Sequence, residues 1–212
     1  MVVRGWMVER RVTRVALTGG IATGKSHVRA RFEAKGIPTI DADTLARDAV
    51  APGSAGLHEV VRYFGPDVCD ADGKLNRKKL GAVIFADPDA RRKLEHIIHP
   101  YVRERTEKWF ASLDTSRVRF AIADIPLLFE GQRDADFDVV IVTACEPTTQ
   151  LHRLMQRDGL TEEDARQRIA SQWPLESKIA RADYVIRTDG TFEDTNREVD
   201  EIANQLQSAV VG

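Results

Sequence analysis

An apolar run, Val12–Thr18, passes directly into Gly19-Gly20-Ile21-Ala22-Thr23-Gly24-Lys25-Ser26, and from there into a stretch of helical character, Lys25–Lys35. That order constrains the fold more than any other feature of the chain. The run is β-branched and ends on two glycines, so it reads as a strand that closes in a tight turn. The next eight residues fit G-x-x-x-x-G-K-[ST]. Glycines at both ends let the backbone curl until successive N–H groups face inward, and the helix adds the positive end of its dipole. Strand, loop and helix together make a cradle for phosphate groups. Gly19, Gly20, Ala22, Thr23 and Gly24 shape it, Lys25 reaches the β- and γ-phosphates, and the Ser26 hydroxyl is placed to ligate Mg²⁺.

Such a loop serves many nucleotide-using proteins, and the rest of the chain narrows the choice. No [NT]-K-x-D guanine reader and no LSGGQ-like transporter signature occurs. Lys+Arg (31) and Asp+Glu (33) nearly cancel, so the basic surplus of a duplex-binding protein is missing, and an anionic ligand must be held by local clusters. Cys69 and Cys145 form neither a CxxC pair nor a zinc pattern and read as reduced thiols of a cytoplasmic protein. No apolar run approaches the ~18 residues of a membrane span. The first residues, MVVRGWMVERRVTR, carry too many charges for a secretory signal; residues 1–11 read as a tail, with Met7 a second possible start. A small-molecule kinase acting without nucleic acid or membrane fits best, and oligomeric state is left open, a monomer being consistent with it.

Further strand signals fall at Ile37–Ile40, Val118–Asp124, Asp138–Thr143 and Asp183–Arg187, with helical patterns at 147–157, 161–172 and 175–181. Gly36 reads as the cap that ends the first helix. The last helix shows Val199, Ile202 and Leu206 at helical spacing. Strands separated by helices imply right-handed crossovers and a largely parallel sheet, so the expected class is α/β, a three-layer fold around the phosphate loop. From Ala42 to about Tyr101 the chain is mostly helical, and the roughly 60 residues between the second and third strands exceed one crossover. They read as an inserted subdomain that closes over a substrate. Pro100 is expected to disturb the helix whose apolar stripe is Leu94, Ile97, Ile98, Tyr101 and Val102.

Asp-Ala-Asp occurs three times. Only Asp41–Asp43 stands at the carboxyl end of a strand, where open α/β sheets bind ligands, and that strand is expected beside the phosphate-loop strand. Asp41 reads either as a helix N-cap or as a functional residue; Asp43 is the candidate base for an attacking hydroxyl. Asp70–Gly73 reads as a turn and Asp134–Asp136 as a solvated loop. Asp124 ends an apolar strand and reads either as a metal ligand, directly or through water, or as an ordinary polar strand end.

ALTGGIATGKS, then IDAD, IIHP at Ile97–Pro100, and IPLLFE at Ile125–Glu130 resemble dephospho-CoA kinase, as do QLHRLMQRD at 150–158, Gln172 with Lys178, and ADYVI at 182–186. The resemblance covers nearly all of the chain after residue 12. It implies transfer of a phosphoryl group from ATP, with Mg²⁺, to the ribose 3′-hydroxyl of dephospho-CoA, the last step of coenzyme A synthesis. The alternative is another small-molecule kinase, for a nucleoside or nucleoside monophosphate.

By matching position the resemblance implies a nucleotide-binding core (12–45, 111–146, 182–212), a helical substrate-binding domain (46–110) and a helical lid (147–181). It makes Asp43 the catalytic base, helped by Lys25 and Arg153, and places Arg157 with Arg153 as lid arginines. Asp41, Tyr63, Phe64, Arg77, His99, Pro100, Leu127, Leu128 and Glu130 fall in the implied substrate region; read alone, His99 before Pro100 is equally a helix residue without a ligand role. Two positions depart from the pattern. His27 stands where the family has Ser or Thr, contributing its backbone N–H. Thr188-Asp189-Gly190 stands where the family reads Asn-x-Gly near adenine.

Overall fold

The computed structural model describes residues 11–209; apart from Arg11, the expected tail lies outside the described residues. The chain divides into two compact units, one made of the chain up to Ile40 and from Ser112 on, the other of Asp41–Ala111.

The first unit is built on strands β1 (Thr13–Gly19), β2 (Thr39–Asp41), β3 (Phe120–Asp124), β4 (Val139–Ala144) and β5 (Tyr184–Arg187), in the order β2-β3-β1-β4-β5. β1 pairs in parallel with β3 and β4, and β4 with β5. β1, β3 and β4 are almost continuously apolar and buried, as strands covered by helices on both faces must be. The register sets Leu17 opposite Asp124 and Gly19 opposite Thr143, so the loop after β1 and the ends of β3 and β4 share one edge of the sheet.

Helix α1 (Lys25–Ala34) packs Val28 and Phe32 into this core, and the last helix, Phe192–Ala209, adds Val199, Ile202 and Leu206, the three residues its spacing predicts. α1 ends through Lys35. Gly36 follows with φ 76°, donating to Glu33 O, while Ile37 donates to Phe32 O. These bonds satisfy carbonyls that the last turn leaves open, and only glycine takes that backbone angle without strain.

The second unit holds α2 (Ala42–Ala49), α3 (Ala55–Phe64), α4 (Arg77–Ala86) and α5 (Pro88–Ser112, whose last residue is assigned to the first unit) around Val50, Leu57, Val60, Val68, Leu80 and Ile97. Asp41, Ser54 and Asn76 cap α2, α3 and α4 by accepting from first-turn N–H groups. The Asp70 carboxylate closes the expected turn, accepting from the N–H groups of Asp72 and Lys74.

Three expectations are corrected. β2 is not adjacent to β1, because β3 lies between them. Pro100 does not interrupt its helix: α5 runs through it, with Ile97, Val102, Thr106 and Phe110 buried along its length. Proline in a helix interior costs about 3 kcal/mol, and burial of one or two large side chains is of that size. Asp134–Asp136 is a 3-10 turn rather than an irregular loop, and Asp136 is sheltered in it, accepting from Arg133 Nε at 3.1 Å with both side chains 11% exposed.

Candidate active site

Gly19 marks the point where β1 becomes the loop, and no side chain fits there. A Cβ would meet the Thr143 hydroxyl and lie 2.7 Å from Thr23 Oγ1. Thr23 is buried; its hydroxyl bonds Gly20 O and Thr143 Oγ1, both at 2.8 Å. Ala22 and Gly24 take left-handed backbone angles, φ 60° and 84°. Gly24 is the N-cap of α1 and offers no capping side chain, unlike Asp41, Ser54 and Asn76. The first turn of α1 therefore has no side-chain acceptor; His27 N–H donates to Gly24 O at 3.0 Å, and the N–H groups ahead of it are left for an anion.

Lys25 and Asp124 form an ion pair, and Arg29 Nη1 reaches the other Asp124 oxygen at 3.3 Å. Asp124 is 2% exposed, so this is a buried carboxylate between two cations rather than a plain polar strand end. Ser26 is exposed at the start of α1. No cluster of three or more His, Cys, Asp or Glu able to hold a metal occurs among the described residues. A Mg²⁺ that keeps waters and takes its other ligands from phosphates needs only one or two protein oxygens, and the Ser26 hydroxyl and Asp124 could supply these.

The loop is also held from the segment that follows β4, namely α6 (Pro147–Asp158), α7 (Glu162–Ala170) and α8 (Leu175–Ile179). Ile21 N–H donates to Gln172 Oε1 and Ile21 O accepts from Gln150 Nε2, each at 2.8 Å. Lys178, fully buried, donates to Gly19 O at 3.3 Å and pairs with Glu130 Oε1 at 2.8 Å. The same Glu130 oxygen accepts Trp173 N–H at 2.9 Å. Glu130 thus pairs with a neighbouring segment, and Leu128 of the same set is fully buried core, while Leu127 is exposed.

The two lid arginines are not brought together. Arg153 donates to Thr188 Oγ1 (3.0 Å) and Thr188 O (2.6 Å), whereas Arg157 pairs with Asp158, which also accepts from Arg168 at 3.0 Å. Thr188 is buried, its hydroxyl 2.9 Å from Thr23 O, and its side chain packs against Gly24. Beyond it opens a cavity of about 470 Å³ lined by Gly24, His27, Arg153, Thr188, Gly190, Thr191, Phe192, Glu193 and Thr195. The His27 ring lies 4.6 Å from that of Phe192 and bonds Asn196 at 3.0 Å, so its side chain helps form this cavity and does not serve through the backbone alone. Phe192, 70% exposed, escaped sequence reasoning; an isolated aromatic after a strand carries no periodicity to mark it. Cys145 is buried beside Arg153. Burial pushes its thiol above the ordinary value, which Arg153 partly opposes.

Within the second unit, Asp43, Arg47 and Arg77 share the rim of a cavity of about 280 Å³ whose walls include Val50, Leu75, Leu80, Ile84, Leu94 and Ile98. An apolar pocket with one carboxylate and two guanidinium groups suits an organic acceptor bearing phosphates. Sequence reasoning missed Arg47, which lies one turn after Asp43 on α2. Tyr63, Phe64, His99 and Pro100 do not line this cavity. Tyr63 stands edge-on to Phe64 and under Lys93, and Phe64 packs on the core of the unit. Asp41 accepts from the N–H groups of Asp43 and Thr44, the cap its position allowed, and so holds Asp43 in the first turn.

The family profile described as dephospho-CoA kinase matches residues 13–194. A dephospho-CoA kinase of Geobacillus kaustophilus is 44% identical over 191 residues, which cover 90% of this chain and 95% of that protein. Among solved structures, TT1252 from Thermus thermophilus superposes with a TM-score of 0.80 at 30% identity, and dephospho-CoA kinase from Campylobacter jejuni with 0.71 at 28%. Each superposition covers 92% of this chain and 98% of the other.

Proposed function

The chain belongs to the dephospho-CoA kinase family, and from that premise we propose that it moves the γ-phosphoryl group of ATP onto the ribose 3′-hydroxyl of dephospho-CoA, giving coenzyme A. The observation that carries this reading is the loop from Gly19 to Ser26, with an uncapped helix at one end and Lys25 beside a buried carboxylate. The transition state for phosphoryl transfer is loose and places negative charge on the equatorial oxygens, so the protein's work is positioning and charge stabilisation.

In this scheme the loop N–H groups grip the triphosphate and Lys25 bridges its β- and γ-oxygens. The cavity lined by His27, Arg153, Thr188 and Phe192 takes the nucleotide base. The Ser26 hydroxyl and Asp124 would hold Mg²⁺, which would supply further neutralising charge. The 41–111 unit binds the acceptor, Arg47 and Arg77 meeting its phosphates and the apolar walls its pantetheine arm. Asp43 receives the proton of the attacking hydroxyl. The 147–181 segment serves as the lid, and Arg153 and Arg157 leave their present partners to meet the transferring group. We place the reaction in the cytoplasm; no helix among the described residues is long and apolar enough to cross a membrane.

The test is ADP release by the purified full chain with ATP, Mg²⁺ and one of three acceptors, dephospho-CoA, AMP or adenosine. Turnover with dephospho-CoA alone is expected. Turnover with AMP or adenosine instead moves the chain to another kinase class, and ATP binding without turnover makes it a nucleotide-dependent switch.

A further inference from the structure

The phosphate loop is held from two flanks. On one, Thr143, Thr23 and Gly20 are joined by hydroxyl bonds of 2.8 Å. On the other, Gln150 of α6 donates to Ile21 O, and a corner between α7 and α8 delivers Gln172 to Ile21 N–H and Lys178 to Gly19 O. Glu130 ties that corner at both ends, accepting Trp173 N–H and Lys178 Nζ through one oxygen. Trp173 is further fixed by stacking on Phe129, ring centroids 6.1 Å apart at 13°.

We propose that Gln172, Lys178 and Glu130 form a brace whose task is to position the Gly19–Ile21 peptides for phosphate binding and transfer. The proposal rests on the reading of residues 19–26 as the triphosphate grip. Ala22 and Gly24, in left-handed conformations, turn the chain twice within three residues. With such turns, a small rotation at Gly19 or Ile21 swings every later N–H group away from one centre. Gln172 and Lys178 bond the main chain at these two residues, before the turns, and so set the direction from which the cradle starts. A pair serving only to join α8 to the loop after β3 would need the Lys178–Glu130 contact alone. Here the buried ammonium also faces the carbonyl at which the strand ends.

Glu130 Oε2 is buried with no hydrogen-bond partner. Burying an unpaired carboxylate oxygen is unfavourable, and the charge is tolerated because Lys178 neutralises it. Glu130 acts on the loop through Lys178 and Trp173.

The decisive variant is Gln172→Leu, which keeps the bulk of a half-buried side chain and removes the acceptor. Two readouts are needed on the purified full chain, ADP affinity by calorimetry and steady-state turnover with ATP and dephospho-CoA. The brace predicts that ADP affinity falls about five- to tenfold, the effect of one lost hydrogen bond. It also predicts that kcat falls about 10- to 100-fold, because the transferring group is misplaced. KM for dephospho-CoA and the melting temperature stay where they were. Lys178→Met extends the test where it folds, with the same split between nucleotide and acceptor parameters. Unchanged ADP affinity and kcat in Gln172→Leu overturn the brace, as does a lower melting temperature with normal kinetics per folded molecule. ADP binding needs no acceptor, so a wild type that binds ADP but ignores dephospho-CoA refutes the acceptor assignment and still tests the brace. A wild type that binds no ADP overturns both.

Discussion

Lys25, the first residue of α1, is paired with Asp124, the last residue of β3, and Arg29 completes the contact from one turn further along the helix. The carboxylate is buried and its two cations are 17% and 26% exposed, so each charge depends on the others. Arriving phosphates would compete with Asp124 for Lys25, which gives Lys25→Ala two separable effects. Nucleotide affinity should fall at least about tenfold, as for loss of a charge-assisted bond, and kcat by about 10²–10³ through loss of transition-state charge stabilisation. ADP titration and steady-state kinetics read these independently; normal values for both refute the phosphate cradle.

Asp124→Asn tests the same contact from the other side. It leaves Lys25 and Arg29 facing each other with a neutral amide between them. Breaking a buried pair costs about 3–5 kcal/mol, and partial exposure of the cations together with the remaining amide acceptor brings the expected loss to about 2 kcal/mol. Urea unfolding of the nucleotide-free protein measures it. A variant as stable as wild type shows that Asp124 contributes nothing to the resting fold.

Asp43→Asn keeps the shape of the first turn of α2 and the cap from Asp41, and removes the proton acceptor. We expect kcat to fall by about 10²–10⁴ while ADP affinity is unchanged. Turnover at the wild-type rate removes Asp43 from the chemistry.

Arg77→Gln removes one of the two positive charges on the cavity that holds Asp43. If the acceptor's phosphates meet that charge in both ground and transition states, KM for dephospho-CoA rises about tenfold with kcat little changed. A kcat loss at constant KM would instead place Arg77 at the reacting group.

Much of this site was legible because its signals are local. The loop from Gly19 to Ser26, the cap at Asp41 and the turn at Asp70 each rest on side chains acting within a few residues of themselves. What escaped depends on contacts made far along the chain. Glu130 reads as a substrate contact in IPLLFE, yet its partners are 43 and 48 residues on, at Trp173 and Lys178. Leu128 belongs to the same motif and is core, a distinction only packing can draw. The order of strands has a similar cause. β3 enters between β1 and β2 from across the whole helical insertion, so nearness in sequence misplaced β2. At Pro100 a local rule was outweighed by burial on either side.

The junction of the first and last helices carries a pH-dependent contact away from the chemistry. Asp200 accepts from Arg31 Nε at 2.9 Å and Nη2 at 2.6 Å, with Lys35 Nζ at 3.3 Å. The hydrogen bonds from Arg31, chiefly, with help from Lys35, hold the Asp200 carboxyl below its ordinary value against the opposing effect of burial. Because the folded-state value is the depressed one, the contribution to stability is complete above the unfolded value of about 3.9 and disappears as pH falls through the folded one. Asp200→Asn should therefore lower the urea midpoint by a small, constant amount from neutral pH down to about pH 5, since the pair is partly solvated and screened. As pH falls below the unfolded value and on through the lower folded one, wild type itself becomes protonated there, and the two curves should converge. A gap that persists undiminished into acid would mean that Asp200 acts through shape and hydrogen bonding that an amide cannot copy, and that its charge plays no part in joining the two helices.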